Sequence, residues 1–388
     1  MLLANLLGDR GIPTIVLERS IEPERTSRAI GVSIPSLEIL DRLGLVDLLR
    51  GDGVEVPGVS LRGAKRRLGR IDFSNSGSRY DFVLAIPQAR TCEILEDRLD
   101  GFDTVEVRRG WAVVAILPGT NCARVLTTQD DGSEHELSCS YIIGCDGTRS
   151  VVRHEAGIGF SGASYSDTFL MGDFVDRTTW GSEAYVFSTS RGSVESFPTP
   201  GGLRRYVLST PGYIAAGETS FLEEEIPKRC GIPIAAREKR WESAFTAEHY
   251  IADSYFAQRS ILAGDSAHTM SPIVGQNMNT GFADAEYLSS ILPELVHNDP
   301  SSGRLLASYD KVRRTAALSA TRRAWLMMRL ATSGGGLWSL LRSAGSILLL
   351  RLIPSSVVAC LFSMTSIPYR NLDDPRVARL RAGAASGV

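Results

Sequence analysis

One segment, from Ser260 to Ala285, constrains the fold more than any other part of the chain. Ser260-Ile261-Leu262 is a short apolar run, Ala263-Gly264-Asp265 ends it, and Ser266-Ala267-His268, Pro272 and Gly275-Gln276-Asn277-Met278-Asn279-Thr280-Gly281 follow, before Asp284-Ala285 opens a helix toward Leu295. Read physically, a buried strand delivers Asp265 to the carboxyl edge of a sheet, where open α/β sheets bind their ligands. Gly275 and Gly281 permit close backbone approach, and the helix that follows offers a positive N-terminal end to negative charge. The plain alternative is a loop that only turns a strand into a helix. Requiring Asp265, Pro272, Asn279 and Asp284 together disfavours it.

Two further segments point to a nucleotide-binding sheet. Tyr141-Ile142-Ile143-Gly144-Cys145-Asp146-Gly147 is an apolar strand running into Asp-Gly, and Thr148 to Arg153 starts a helix. Asp-Gly alone is a common turn, but D-G-x-x-S-x-V-R after a buried strand is far rarer. Near the N-terminus, Leu2, Leu3, Leu6 and Leu7 follow helical spacing, Gly8 and Gly11 end the run, and Thr14 to Leu17 forms a strand closed by Glu18. Helix, turn, strand and acid make the second half of a βαβ unit, in which the acid accepts hydrogen bonds from ribose hydroxyls about 20 residues after a glycine loop. Counting back places that loop before Met1, so the expectation is a chain without its G-x-G-x-x-G strand and turn. Glu18 as an ordinary exposed acid at a strand end stays open beside the ribose reading.

The composition narrows the partners. With 42 basic and 44 acidic residues, a net charge of −2 and no long charged block, the chain has no electrostatic footprint for nucleic acid. Its six cysteines form no C-x-x-C pair and have no His at zinc-ligand spacing, so no metal site is expected and buried thiols in a reducing cytoplasm are the default. The N-terminal apolar run lacks the flanks of a signal peptide.

In motif order, Met1 to about Tyr309 resembles the FAD-dependent aromatic hydroxylases, the group A flavoprotein monooxygenases typified by para-hydroxybenzoate hydroxylase. The helix–strand–Glu unit, D-G-x-x-S-x-V-R and G-D-x-A-H-x-x-x-P-x-x-G-Q-x-x-N-x-G-x-x-D-A carry the resemblance, with Ser27-Arg28-Ala29-Ile30-Gly31 and Ile86-Pro87-Gln88 as secondary matches. The resemblance implies that Glu18 holds the adenosine ribose, that Arg28, Ala29 and Gln88 lie along the FAD phosphates or ribityl chain, and that Gly264 and Asp265 meet the ribityl hydroxyls. Gly275 and the backbone of Met278 and Asn279 would reach the pyrimidine edge of the flavin. Asp146, Gly147 and Arg153 would serve FAD and NAD(P)H, and Pro272 would lie beside the flavin; no catalytic residue is otherwise assigned. Each also has a bland reading: Arg28 as a surface cation, Gln88 as a polar residue preceding a helix, Arg153 as a helix-surface charge. Where the family commonly has G-G-Q-G, this chain has Val274-Gly275-Gln276-Asn277; Asn277 tolerates positive φ, and Val274 is the harder departure.

The implied fold is α/β: a Rossmann-like FAD-binding domain with a parallel sheet, an α+β substrate domain built on an antiparallel sheet, and C-terminal helices. The expected boundaries are 1–58, 84–160 and 256–300 for the first, 59–83 and 161–255 for the second, and 301–388 for the third. Trp180, Tyr185, Phe187, Phe197 and Tyr206 are candidate cavity walls, although most aromatics of a half-buried sheet are core. The uncharged stretch Leu352 to Tyr369 is long enough to cross a bilayer, but its prolines and hydroxyl residues favour a helix that closes the cavity or meets a second copy, with peripheral membrane contact a further reading. Leu337 to Ile353 is apolar but interrupted by Arg342 and Arg351.

The implied activity is hydroxylation of an aromatic or polyketide-like small molecule with NADPH or NADH and O₂, through a flavin C4a-hydroperoxide, in a cytoplasmic monomer or homodimer. Two alternatives remain: another FAD-dependent oxidoreductase of the same fold, and a silent, truncated paralogue that only binds. The halogenase W-x-W-x-I-P signature and the hydrolase G-x-S-x-G elbow are both absent.

Overall fold

The computed structural model describes residues 1–26, 28–63, 67–117, 119, 122–272, 275–297, 302–332 and 355–367. Ser27, Val274 and the apolar segment from Leu337 to Ile353 lie outside the described residues. Within them the chain is a mixed α/β protein with parallel and antiparallel sheets.

The parallel strands form two separate ladders. β1 (Thr14–Glu18) runs parallel to β7 (Val105–Arg109), with Glu18 opposite Arg109. A separate ladder pairs β11 (Ile142–Gly144) parallel to β18 (Ser260–Leu262), with β17 (Phe256–Ala257) antiparallel on its far side. α1 (Leu2–Gly8) buries Leu2, Leu6 and Leu7, and the last joins Ile261, Leu288 and Ile291 in one apolar cluster. Gly8 is required by packing: a Cβ there would stand 2.7 Å from the Phe102 ring.

Two small three-stranded sheets flank this layer. One has β6 (Val83–Ala85) between β2 (Gly31–Val32) and β3 (Val54–Val56). The other runs β8 (Ala112–Leu117), β9 (Ala123–Thr128), β10 (Glu134–Cys139). α2 (Ile34–Arg42), α3 (Val46–Asp52) and α4 (Gln88–Asp97) cover the first of these, and Ile34, Leu37, Leu40, Leu49, Ile94 and Leu95 form a core with Val32 and Leu84. α5 (Val151–Glu155) follows β11.

The large sheet has eight strands in the order β19 (His268–Thr269), β16 (Lys239–Ala252), β12 (Phe160–Val175), β15 (Leu203–Thr210), β14 (Gly192–Thr199), β13 (Ala184–Thr189), β4 (Gly58–Gly63), β5 (Arg67–Asp72). Every pairing is antiparallel except β13 with β4. Period-2 alternation gives the sheet two different faces. Leu170, Phe174, Tyr185, Phe187, Val194, Tyr206 and Leu208 point to α6 (Phe221–Cys230), which buries Leu222 and Ile226 among them. Phe169, Met171, Val207 and Phe245 point the other way and meet Met328 of α8 (Ser302–Thr332).

That division places four of the five sheet aromatics in core rather than on a cavity wall. Trp180, Tyr185, Phe187 and Tyr206 form the core under α6, with Trp180 stacked on Tyr185 at 4.0 Å. Only Phe197 of the five lies on the opposite face, where it packs with Val186 and Leu61 against the α2 core. α9 (Ser355–Phe362) contributes Val358 to the same core. No helix among the described residues is long and apolar enough to cross a membrane.

Candidate functional site

The site grows from the register of β11 and β18. Because Gly144 lies opposite Leu262 in a parallel pair, the two chains leave the sheet side by side, and Asp146-Gly147 emerges next to Gly264-Asp265. The Ala263 N–H donates to Gly144 O at 3.0 Å, and Ser266 Oγ donates to the same carbonyl. Gly147 and Gly264 take φ of +79° and +62°, values that strain a residue with a Cβ.

The Asp-Gly motif is spent on its own helix. Ser150 Oγ donates to Asp146 Oδ1, Val152 N–H donates to Asp146 Oδ2 at 3.1 Å, and Ser150 caps α5 by accepting from Arg153 N–H at 3.0 Å. Arg153 is not a surface charge. Its guanidinium donates to Ser266 O (2.9 Å) and Thr148 O (2.8 Å) and lies 3.8 Å from the centre of the Phe160 ring, clamping the two motif loops together.

α7 (Gln276–Val296) begins eight residues earlier than the sequence reading placed it, so Met278 and Asn279 belong to its first turns. Gly275 precedes it with φ of +62°, no side chain caps the helix and no acidic residue lies in its first turn. Two hydrogen bonds and one close backbone approach seat the helix against the strand loops. Asn277 donates to Asp265 Oδ1 at 2.8 Å, Gly264 N–H donates to Asp284 Oδ2 at 3.0 Å, and a Cβ on Gly281 would stand 3.2 Å from Gly264 Cα.

Asn279 ties the same helix end to the Arg28 loop. It accepts from Ser33 N–H (2.9 Å) and Ser36 Oγ (2.7 Å), and donates to Gly31 O (2.9 Å) and Gly275 O (2.7 Å). Ala29 O accepts from Gln88 N–H at 3.1 Å, so Arg28, Ala29 and Gln88 meet α7 at one corner. Gln88 is the first residue of α4, half-buried, rather than a residue preceding it. Arg28 donates to Ser243 Oγ (3.1 Å) and its carbonyl accepts from Arg205 (2.6 Å), which links the corner to the large sheet. Truncating Asn279 to Leu removes four hydrogen bonds at once. Stability is expected to fall by about 2–4 kcal/mol, since buried groups left unpaired cost roughly 1–3 kcal/mol each; urea unfolding of the purified chain measures it.

Beside the Gly264 loop lies a buried charge cluster that sequence reading missed in part. Asp284 accepts from His268 Nε2 and from Arg313 Nε, both at 2.7 Å, and all three side chains are fully buried. Burial opposes ionisation of Asp284, but His268, Arg313 and the Gly264 N–H together hold its carboxyl below the ordinary value. Arg313 comes from α8, and nothing local in the sequence marks it as a partner.

The residues named from sequence thus gather around the ends of β11 and β18 and the start of α7, with two outliers. Asp146, Gly147, Arg153, Gly264 and Asp265 form one group, and Arg28, Ala29, Gln88, Gly275, Met278 and Asn279 the other. Pro272 is exposed, its carbonyl accepting from Gly275 N–H. Glu18 ends β1 in the other parallel ladder and accepts from Ser20 N–H at 2.8 Å.

Several groups around these loops leave hydrogen-bonding capacity unused. Cys145 reaches water, yet surrounding protein pushes its thiol up to about 11. With Cys92 and Cys122 it also departs from the expectation of buried thiols. Asp265 is shifted up by burial despite His268 and Asn277, so its carboxylate lacks donors that ligand hydroxyls would provide. Gln276 is buried with Oε1 unpaired among the described residues, beside the uncapped end of α7. Together these groups fit the ribityl chain and the electron-rich edge of FAD.

Comparison with known proteins gives the family. A family model described as FAD binding domain matches residues 1–324. The chain is 32% identical over 345 residues to a 6-methylpretetramide 4-monooxygenase of Streptomyces rimosus, covering 83% of this chain and 60% of that protein. It therefore spans about 60% of the length of that curated relative. Its structure superposes on an anhydrotetracycline hydroxylase from Streptomyces rimosus with a TM-score of 0.75 at 29% identity, over 94% of this chain and 73% of that one. A p-nitrophenol 4-monooxygenase from Pseudomonas putida shares the fold, with a TM-score of 0.86 at 22% identity and 95% of both chains covered. The chain belongs to the FAD-binding family of the aromatic flavin monooxygenases.

Proposed function

We propose that this protein is an FAD-dependent monooxygenase that hydroxylates an aromatic, polyketide-like small molecule with NADPH or NADH and O₂, as a cytoplasmic monomer or homodimer. The observation that carries the proposal is the uncapped N-terminus of α7, which Asn277 ties to Asp265 and Asn279 ties to Gly31 of the Arg28 loop. Bound FAD, reduced by NAD(P)H, would supply the electrons that activate O₂ for insertion of one oxygen atom into the substrate.

The chain's own residues supply position and charge. Free N–H groups at the start of α7 favour the negative charge that builds on a reduced flavin. Asp265 would accept ribityl hydroxyls, with Asn277 fixing its carboxylate, and Gly275 lets the backbone approach the ring. Glu18 would hold the adenosine ribose at the end of β1. Arg28 and Gln88 would lie along the connecting chain, while Asp146 and Arg153 hold the motif loops through the bonds described above. The apolar sheet face of Phe169, Phe245 and Val207 would exclude water from the reacting ring. The names of the relatives, monooxygenases of tetracycline-type compounds, support the substrate class.

The test supplies FAD, NADPH or NADH and a panel of hydroxylated naphthalenes and anthraquinones to the purified chain. Expected are aromatic-dependent oxidation of the nicotinamide and products carrying one atom of ¹⁸O from ¹⁸O₂. Nicotinamide oxidation without labelled product, across the panel, would point instead to another FAD-dependent oxidoreductase. A chain that binds aromatics but no FAD would be a silent binding protein.

A further inference from the structure

Glu195 lies in the middle of β14, opposite Val186 of β13 and Val207 of β15. Its neighbour Val194 points into the core under α6, so alternation turns Glu195 to the opposite face, the one shared with Phe197, Val207, Met171 and Phe169. That face meets the α2 core and the side chains of Met278 and Phe282 at the start of α7, and it continues through Arg205 to the Arg28 loop. The side chain is 9% exposed and has no hydrogen-bond partner or counter-ion among the described residues.

The charged groups on the surrounding elements are engaged elsewhere. On the same face Arg205 holds Asp173 through two bonds of 2.7 and 2.8 Å. On β3, Glu55 is held by Arg50; on β4, Arg62 lies over Tyr185 on the α6 side. On β15, Arg204 holds Asp176; on β16, Lys239 holds Glu242. On α8, Arg313 holds Asp284, Arg323 donates to Ser366, and Arg322 and Arg329 are exposed. Burial alone therefore acts on Glu195 and pushes its carboxyl up to about 7. A carboxyl in apolar surroundings with no internal partner is costly to keep and marks a place where a ligand group completes the site.

We propose that Glu195 recognises a hydroxyl of the aromatic substrate, accepting its hydrogen bond and its proton. The inference rests on the monooxygenase reading above and specifies its substrate: a phenol, oriented with its hydroxyl toward β14. In the step itself the substrate O–H bond breaks, its electron pair stays on the substrate oxygen, and the proton moves to a Glu195 oxygen. The ring thereby gains electron density at the carbons ortho and para to that hydroxyl. The other unpaired basic group on the described sheet face, His249 Nδ1, lies on β16, three strands away from β14, with its ring stacked on Tyr165.

The experiment compares binding of 1-naphthol and 1-methoxynaphthalene, which differ in the donor, to the full chain with FAD added, by calorimetry at pH 6 and pH 8. The wild-type chain should prefer the naphthol by tenfold or more at pH 8. That preference should fall about tenfold by pH 6, because below about 7 the carboxyl must first release its own proton. Glu195→Gln should keep a weaker preference with no pH dependence, and Glu195→Leu none, with thermal melting and FAD binding retained in both. An equal affinity for the two probes in wild type, or the same pH-dependent preference in Glu195→Gln, would overturn the assignment. Loss of FAD binding in the wild-type chain would overturn the monooxygenase reading instead, so the two failures are distinguishable.

Discussion

Replacing Asp284 by alanine should destabilise the chain by about 3–5 kcal/mol, the usual effect of breaking a buried ion pair from one side. The variant strands Arg313, whose side chain has no exposure, and removes the acceptor of both His268 and the Gly264 N–H. Urea unfolding of the two chains measures the loss. In a double-mutant cycle with Arg313→Met, the second substitution should recover at least about 1 kcal/mol, since the stranded cation is gone. A loss under about 1 kcal/mol in Asp284→Ala would mean that Arg313 finds water or another partner.

The pH dependence has a definite sign. Asp284 ionises more readily folded than unfolded, where its ordinary value is 3.8. Its contribution is complete above that value and is lost as the pH falls through the lower, folded one. The wild-type chain should lose stability on acidification more steeply than Asp284→Ala does in the same range.

The second large effect concerns Asp265. Asp265→Ala should weaken FAD binding by about 100-fold, as expected when one or two hydrogen bonds to a charged acceptor, roughly 1.5–3 kcal/mol each, are lost. Folding should be little affected, because the carboxylate makes one internal bond, to Asn277, and is already shifted up by burial. Flavin fluorescence titration of both chains decides it. Unchanged affinity would remove Asp265 from the cofactor site.

Much of the site was legible from residue order. The apolar runs at Ile142 and Ser260 end in Asp-Gly and Gly-Asp, and parallel pairing brings those ends together. The start of α7 was not legible, because Asn277, Asn279, Thr280 and Gly281 are poor helix formers and the apolar periodicity begins only near Phe282. Arg313 was invisible because its partner is 29 residues away on another helix. Tyr185 and Phe187 share a face by spacing alone, but only the position of α6 shows which face. Glu195 was hidden for the same reason: alternation says that it opposes Val194, and the packing of the sheet says toward what.

The central claim is that this chain builds a site for FAD around the first turn of α7. Titrating the purified chain with FAD, while following flavin fluorescence and the visible spectrum, tests that claim most directly. Saturable one-to-one binding, with a shifted absorption band and loss of affinity in Asp265→Ala, is the predicted result. A colourless chain that leaves FAD fluorescence unchanged at concentrations where it is folded would contradict it.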